Sequence, residues 1–110
     1  MTILSEDKIK ILDAGSGFGQ YTYWLSEKNL KAKILSVDVK EEQVADCNKF
    51  FRETGKKNVI FEVADLTKFV RKNEFDFVLS VDVMEHILED VSVFKNIYAS
   101  MKEKAILGFI

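Results

Sequence analysis

The stretch that decides the fold is ILDAGSGFG, residues 11–19. An apolar run ends here, glycine occupies three alternate positions, and a helical pattern begins at Phe18. Glycine allows a tight turn and lets the backbone come close to a ligand. Because the loop lies between a predicted strand and a predicted helix, we expect it to line a ligand site rather than to be a plain turn.

Apolar strands and amphipathic helices alternate along the chain. The predicted strands are Lys8–Ala14, Ala32–Val37, Asn58–Ala64, Phe75–Val81 and Ala105–Ile110. The predicted helices are Phe18–Asn29, Glu41–Thr54 and Asp90–Lys102, with a short helix or turn over Thr67–Lys72. Such alternation is typical of right-handed crossovers on a parallel sheet. It predicts one α/β domain over residues 1–110, an open doubly wound parallel sheet.

Helical spacing predicts which side chains face the sheet. They are Tyr21, Trp24 and Leu25 in the first helix, Val44, Cys47 and Phe51 in the second, and Val91, Phe94, Ile97, Tyr98 and Met101 in the last. Gly55 is expected to end the second helix.

Composition excludes several classes of protein. The 110 residues carry a formal net charge of −2, so bulk charge attracts neither nucleic acid nor an acidic membrane. No apolar run has the length of a membrane span. The single Cys47 excludes a disulfide framework within the chain and predicts a cytoplasmic protein.

Carboxylates follow the second and third predicted strands, where ligands of such sheets bind. Asp38 lies 21 residues after Gly17, a distance that suits a ribose diol, or else it caps the next helix or lies in a solvated turn. Asp65 can accept a hydrogen bond from an adenine amino group while the Leu66 N–H reaches the ring, or it caps the segment at Thr67.

The glycine order distinguishes two cofactor classes. Gln20 stands where the dinucleotide fingerprint has glycine or alanine. Asp13, two residues before the first glycine, can hold the loop's own N–H groups or lie near a cationic ligand, but it repels a pyrophosphate. Both residues disfavour an NAD(P)-dependent oxidoreductase.

Four blocks in order carry a family resemblance: ILDAGSGFG at 11–19, SVD at 36–38, VAD at 63–65 and FDFVLSVDVMEHI at 75–87. Together they resemble class I S-adenosylmethionine-dependent methyltransferases, in particular the branch with ubiquinone- and menaquinone-biosynthesis enzymes. The resemblance extends from about Lys8 to Ile110. It implies S-adenosyl-L-methionine as cofactor, methyl transfer to a small-molecule acceptor, and a protein that mainly aligns that acceptor.

The resemblance also implies the cofactor-binding residues Asp13, Gly15, Ser16, Gly17, Asp38, Val39, Asp65, Leu66 and Val81. The glycines would line the methionine and ribose part of the cofactor, with Asp13 near the amino group. The later aspartates would hold the ribose and the adenine edge. Val39 would pack on adenine, and Val81 would lie beside the sulfonium.

No catalytic residue and no metal ligand is assigned. His86 is the only histidine and is the candidate base. If their segment is helical, Asp82, Glu85 and His86 share a face, as at a metal cluster known in some quinone-pathway relatives. The alternative is that His86 packs locally under the strand end.

Parts of the usual family fold are expected to be missing. The family continues past the fifth strand, relatives often carry an N-terminal cap, and Lys102-Glu103-Lys104 replaces the usual Pro-Gly turn. We therefore expect a domain truncated after the fifth strand, with little methyl transfer by this chain alone. The alternative function is a module that binds S-adenosylmethionine or a partner without catalysis. Ala105–Ile110, an apolar edge strand, predicts a homodimer or a partner at that edge.

Overall fold

Five strands and three helices make up the part of the chain that this computed structural model describes, residues 9–80 and 91–109. The strands are β1 Lys10–Ala14, β2 Lys33–Asp38, β3 Val59–Val63, β4 Phe75–Ser80 and β5 Met101–Phe109. The helices are α1 Gln20–Lys28, α2 Glu41–Glu53 and α3 Val91–Ser100. The segment after Asp65 forms a turn rather than a helix. No helix in these two ranges is long and apolar enough to cross a membrane.

The strands form one sheet in the order β3-β2-β1-β4-β5, and every neighbouring pair is parallel. The chain moves outward from β1 through β2 to β3, and then continues at β4 on the other side of β1. The predicted doubly wound sheet is confirmed. The switch in strand order falls between β1 and β4, and ligands of open α/β sheets bind at the carboxyl ends of strands beside such a point.

Two apolar cores cover the two faces of the sheet. On one face α1 and α2 pack through Leu25 and Phe51 against strand residues such as Phe61. On the other face α3 packs through Val93 and Ile97. Strand residues alternate between the two cores because successive side chains point to opposite faces.

The inward faces of the helices were predicted unevenly. In α2, Val44, Cys47 and Phe51 are buried as predicted, and Gly55 follows the helix with a φ of 79°. In α1, Leu25 is buried but Trp24 is 56% exposed. Thr22 and Ser26 are buried instead, so the prediction for α1 was partly wrong. The Thr22 hydroxyl has buried polar partners on the strands, which an apolar pattern does not reveal.

The face predicted for α3 was mostly wrong. Val91, Phe94 and Tyr98 are exposed, while Val93, Ile97 and Ser100 are buried. The Ser100 hydroxyl oxygen accepts from the Arg71 N–H at 3.0 Å and its O–H donates to the Asn96 carbonyl at 2.8 Å. These bonds turn a polar residue inward and leave three of the larger apolar side chains at the surface. Met101, predicted to lie in the helix, begins β5 and packs on the second core.

The edge strand β5 begins four residues earlier than the predicted Ala105. Met101 pairs with Phe75 and Ile106 with Phe77, so the register shifts between the two pairs. Lys104 lies within the shift with a φ of 68°. The sequence pattern identified only the regular part of the strand, because the bulged segment Lys102-Glu103-Lys104 is charged. β5 pairs with β4 and, as predicted, is an edge strand of the sheet.

Candidate functional site

The glycine loop joins β1 to α1 at the switch point. Gly15, Gly17 and Gly19 have φ values of 82°, 55° and 85°. This is the left-handed region, which side chains with a Cβ rarely adopt. The loop conformation therefore favours glycine at all three positions, in agreement with the tight turn expected there.

Gly17 and Gly19 have different surroundings. A Cβ at Gly19 would lie 3.2 Å from the Phe61 ring and 3.3 Å from the Cys47 sulfur. A Cβ at Gly17 would meet nothing within 4 Å. Gly19 thus allows close packing of the loop on the α2 side of the core, while Gly17 leaves open space where a ligand can approach.

The backbone N–H groups of the loop donate to the protein itself. Gly15 and Ser16 both donate to the Val37 carbonyl at 3.0 Å, and Gly19 donates to the Ser16 carbonyl at 2.9 Å. The Gly17 N–H donates to Asp38 Oδ2 at 2.9 Å. A loop that binds phosphate needs such groups free, so this geometry agrees with the prediction against a pyrophosphate.

Asp38 ends β2 and joins it to the loop. Its Oδ2 accepts from Gly17, and its Oδ1 accepts from the Lys40 N–H at 3.0 Å. The N-cap of α2 is Lys40, with no side-chain cap bond, so Asp38 is not the helix cap that the alternative interpretation proposed. A carboxylate has about four acceptor sites, so Asp38 can accept from ligand hydroxyls while it keeps both backbone bonds.

Asp13 lies one residue before the end of β1 and is fully buried. Its Oδ2 accepts from the Thr22 hydroxyl at 2.6 Å, and its Oδ1 has no partner among the described residues. Burial, opposed by the Thr22 bond and aided by the charge of Asp38, raises the pKa of Asp13 to about 6. The expectation that Asp13 holds the loop N–H groups is wrong, because Val37 and Asp38 accept from them.

Ser16 and Val39 flank the loop and Asp38. The Ser16 hydroxyl is buried without a partner in the described part of the chain. Val39 directly follows Asp38 and is 61% exposed. Val39 therefore offers an apolar surface next to the carboxylate at the end of β2.

Asp65 follows β3 and caps the turn after it. Its Oδ1 accepts from the Thr67 N–H at 2.9 Å and the Thr67 hydroxyl at 2.7 Å. These bonds lower the pKa of Asp65. The capping alternative is therefore correct for Oδ1, while no described residue donates to Oδ2. Leu66 is held in place because Asn96 donates to its carbonyl at 2.9 Å.

Four residues singled out in the sequence, Val81, Asp82, Glu85 and His86, lie outside the described residues. Within the two described ranges, no group of three or more His, Cys, Asp or Glu side chains could hold a metal ion.

A groove with a volume of about 490 Å³, which no sequence pattern predicted, lies between α1 and α2. Its walls are mainly aromatic, from Phe18, Tyr23, Phe50 and Phe51. Cys47 also lines the groove, and burial together with the charges of Asp46 and Asp38 raises the pKa of its thiol. The exposed aromatic side chains at Phe18 and Phe50 were the available signal, but each alone resembles an ordinary surface residue.

The fold and the loop define an open, doubly wound α/β domain whose loop N–H groups are used within the protein rather than left free for phosphate. The family described as "Methyltransferase domain" matches residues 5–109, and the chain belongs to it. S-adenosylmethionine is the cofactor of this class of methyltransferase.

Similar proteins agree with this family. Phosphoethanolamine N-methyltransferase 1 of Triticum aestivum is 32% identical over 95 residues, which cover 84% of this chain and 18% of the relative. Ubiquinone biosynthesis O-methyltransferase of Pelagibacter ubique is 29% identical over 98% of this chain and 45% of its own length. The structure of a SAM-dependent methyltransferase from Aquifex aeolicus has a TM-score of 0.81 at 27% identity, over 93% of this chain and 55% of that one. The chain thus spans less than half of these two curated relatives.

The residues of the loop fit this cofactor. Gly17 leaves open space, and Val39 offers an exposed apolar surface next to Asp38. Asp13 Oδ1 is a buried acceptor without a described partner. S-adenosylmethionine carries positive charge on its ammonium group, which an ionised Asp13 carboxylate would complement.

Proposed function

We propose that this chain binds S-adenosyl-L-methionine at the carboxyl ends of β1, β2 and β3, as the cofactor half of a methyltransferase for a small-molecule acceptor. The observation that carries the proposal is the Asp38 carboxylate, which bridges the Gly17 N–H of the loop and the Lys40 N–H after β2. It fixes the loop beside a carboxylate with spare acceptor capacity.

The proposed contacts follow the positions of the site residues. Gly15, Ser16 and Gly17 line the methionine and ribose part, and Asp38 accepts from the ribose hydroxyls. Val39 packs on one face of the adenine. This arrangement agrees with the open space at Gly17 and the 61% exposure of Val39.

The remaining contacts concern the adenine edge and the charged end of the cofactor. Asp65 Oδ2 accepts from the adenine amino group and the Leu66 N–H donates to the ring. Asp13 supplies negative charge near the amino group. The cofactor supplies an activated methyl group, so the protein's part is to bind, orient and shield the reactants.

A small-molecule acceptor is supported by the names of the relatives. They include an N-methyltransferase of phosphoethanolamine and an O-methyltransferase of ubiquinone biosynthesis. Both names describe small molecules, and they differ in the atom methylated. The proposal therefore extends to the class of acceptor and not to nitrogen, oxygen or carbon.

The direct test is calorimetric titration with S-adenosylmethionine, S-adenosylhomocysteine and NAD in parallel. We expect the first two to bind and NAD not to bind. Asp38→Ala should weaken binding by roughly 2–4 kcal/mol, because two charge-assisted hydrogen bonds to the ribose are lost. Gly17→Val should abolish binding, because its side chain fills the open space.

The matched control is Glu53→Ala, which removes an exposed carboxylate from the last residue of α2, at the opposite end of the helix from Asp38. It should leave the affinity unchanged. Equal affinity in wild type, Asp38→Ala and Gly17→Val would refute the site. Binding without turnover of any small amine, phenol or quinol would favour the alternative of a non-catalytic module.

We also propose that the chain associates through β5, as a homodimer or with a partner. β5 is an edge of the sheet, and Ile106 on it is 64% exposed. An apolar edge strand is a template for pairing with another strand. Sedimentation at micromolar concentration should show a dimer that Ile106→Lys shifts toward monomer, whereas Ile60→Lys on the β3 edge should not. A monomer in the wild type would contradict the homodimer.

A further inference from the structure

Three buried side chains under the glycine loop form a hydrogen-bonded chain that the proposed function does not yet use. Thr22 Oγ1 lies 2.6 Å from Asp13 Oδ2 and 2.8 Å from Ser36 Oγ. The three residues come from α1, β1 and β2, and each is fully buried. Asp13 and Ser36 are register partners on neighbouring strands, so their side chains share the face of the sheet that α1 covers.

The direction of the chain follows from the number of protons. A hydroxyl has one proton to donate, and Thr22 gives its proton to the Asp13 carboxylate. The Ser36 hydroxyl must then donate to Thr22. Each hydroxyl is thereby committed, and Asp13 Oδ2 is occupied. Oδ1 remains the oxygen without a partner in the described part of the chain.

Asp13 forms no ion pair with any cation among the described residues. The charged group that acts on it most clearly is Asp38, which disfavours its ionisation, as burial does. The Thr22 hydroxyl is the group that favours the ionised form. A buried carboxylate without a countercharge is costly, unless a cationic ligand completes it.

We propose that Thr22 and Ser36 are positioning residues, whose hydroxyl chain holds Asp13 ionised and oriented so that Oδ1 serves the positive charge of the cofactor. The inference rests on the proposed function and extends it to residues that make no contact with the cofactor. Thr22 is the central residue, because its hydroxyl is hydrogen-bonded to both Asp13 and Ser36.

The affinity for a cationic ligand should fall as the pH falls, because Asp13 becomes protonated. A cationic ligand favours ionised Asp13, so binding weakens as the pH falls through a midpoint of about 6. Without the Thr22 bond the carboxylate loses its stabilising donor, so the pKa of Asp13 rises and binding fails at a higher pH. A merely structural role for Thr22 would weaken binding equally at every pH.

The experiment compares wild type, Thr22→Val and Thr22→Ser by titration with S-adenosylhomocysteine from about pH 5 to about pH 8. Valine keeps the branched shape and removes the hydroxyl, and serine keeps the hydroxyl. One unit of pKa change corresponds to a tenfold change in the ionisation constant. For a change of that size we expect Thr22→Val to bind about tenfold more weakly at about pH 5, where most of Asp13 is protonated, and about twofold more weakly at about pH 7. At about pH 8 it should approach wild type, while Thr22→Ser should stay near wild type throughout. Adenosine, which lacks the charged group, should bind both variants with little pH dependence.

Direct titration of the Asp13 carboxyl carbon by NMR separates this proposal from the proposed function. The midpoint should be higher in Thr22→Val than in wild type and nearly restored in Thr22→Ser, with or without ligand. If wild type binds no S-adenosylhomocysteine, the proposed function fails. If wild type binds but the Asp13 midpoint does not move in Thr22→Val, the positioning role is refuted. Equal loss of affinity at every pH in both variants would also refute it.

Discussion

Residues with positive φ occur in two regions of the molecule, the junction of β1, β2 and α1 and the β4–β5 edge, and their residue types differ. At the junction these are Gly15, Gly17 and Gly19, and the N–H groups of all three donate to the protein. At the edge the residue is Lys104, within a shift of register. At the junction, glycine adopts positive φ without strain from a Cβ atom. At the edge, the Cβ of Lys104 strains the backbone, in a region where no ligand is proposed to bind.

The largest difference in stability should be between the core that packs beneath Gly19 of the junction and the β5 edge. Phe51 is buried on the α2 side, with its ring centroid 4.9 Å from that of Phe61. Phe51→Ala should lower the free energy of unfolding by about 3–5 kcal/mol, because it removes a buried aromatic side chain and leaves a cavity. Ile106→Ala on β5 removes a side chain that is 64% exposed and should cost less than about 1 kcal/mol. Urea unfolding measures both, and similar losses would contradict the comparison.

The next largest difference in stability should be between substitutions at Gly19 and at Gly17 of the junction. Gly19→Ala should cost about 2–3 kcal/mol, because left-handed strain adds to close contacts with Phe61 and Cys47. Gly17→Ala has the strain without the contacts and should cost about 1–2 kcal/mol. Thermal unfolding of the ligand-free chain compares them. A larger loss at Gly17 than at Gly19 would show that the packing argument is wrong.

The smallest expected effect concerns the strain at the β5 edge. Lys104→Gly should raise the free energy of unfolding by up to about 1 kcal/mol, because glycine adopts a φ of 68° without a Cβ penalty. Asn73, with a φ of 51°, is the control, since asparagine tolerates this region better than other residues. Asn73→Gly should change stability by a few tenths of a kcal/mol. Destabilisation by Lys104→Gly would mean that its side chain contributes more than its backbone costs.

Much of the site could be predicted from the sequence because it depends on local rules. Glycines at alternate positions after a strand predict a tight turn between strand and helix, and the position of Asp38 at the end of β2 follows from strand boundaries. The partners of these groups could not be predicted. The loop N–H groups donate to Val37 and Asp38 rather than to Asp13, and this choice depends on how two strands and a loop meet in space.

The helix faces show the limit of periodicity. In α2 the apolar residues are the buried ones, so the pattern and the structure agree. In α1 and α3 the pattern places Trp24 and Tyr98 on the inward face, but both are exposed. The hydroxyl residues Thr22 and Ser100 are buried on that face instead. Each hydroxyl is buried because a distant segment supplies its partner, and sequence spacing contains no information about such partners.

The sequence by itself determined the order of strands and helices, the parallel sheet and the position of the glycine loop, because these follow from hydrophobic periodicity and from the conformational freedom of glycine. The tertiary structure alone decided that the space at Gly17 is open and that at Gly19 is filled. It also decided that Asp13 is buried with no ion pair among the described residues, and which hydroxyls reach it. These properties depend on distances between segments far apart in the chain. Thr22 meets Ser36 at 2.8 Å only because α1 packs across β1 and β2.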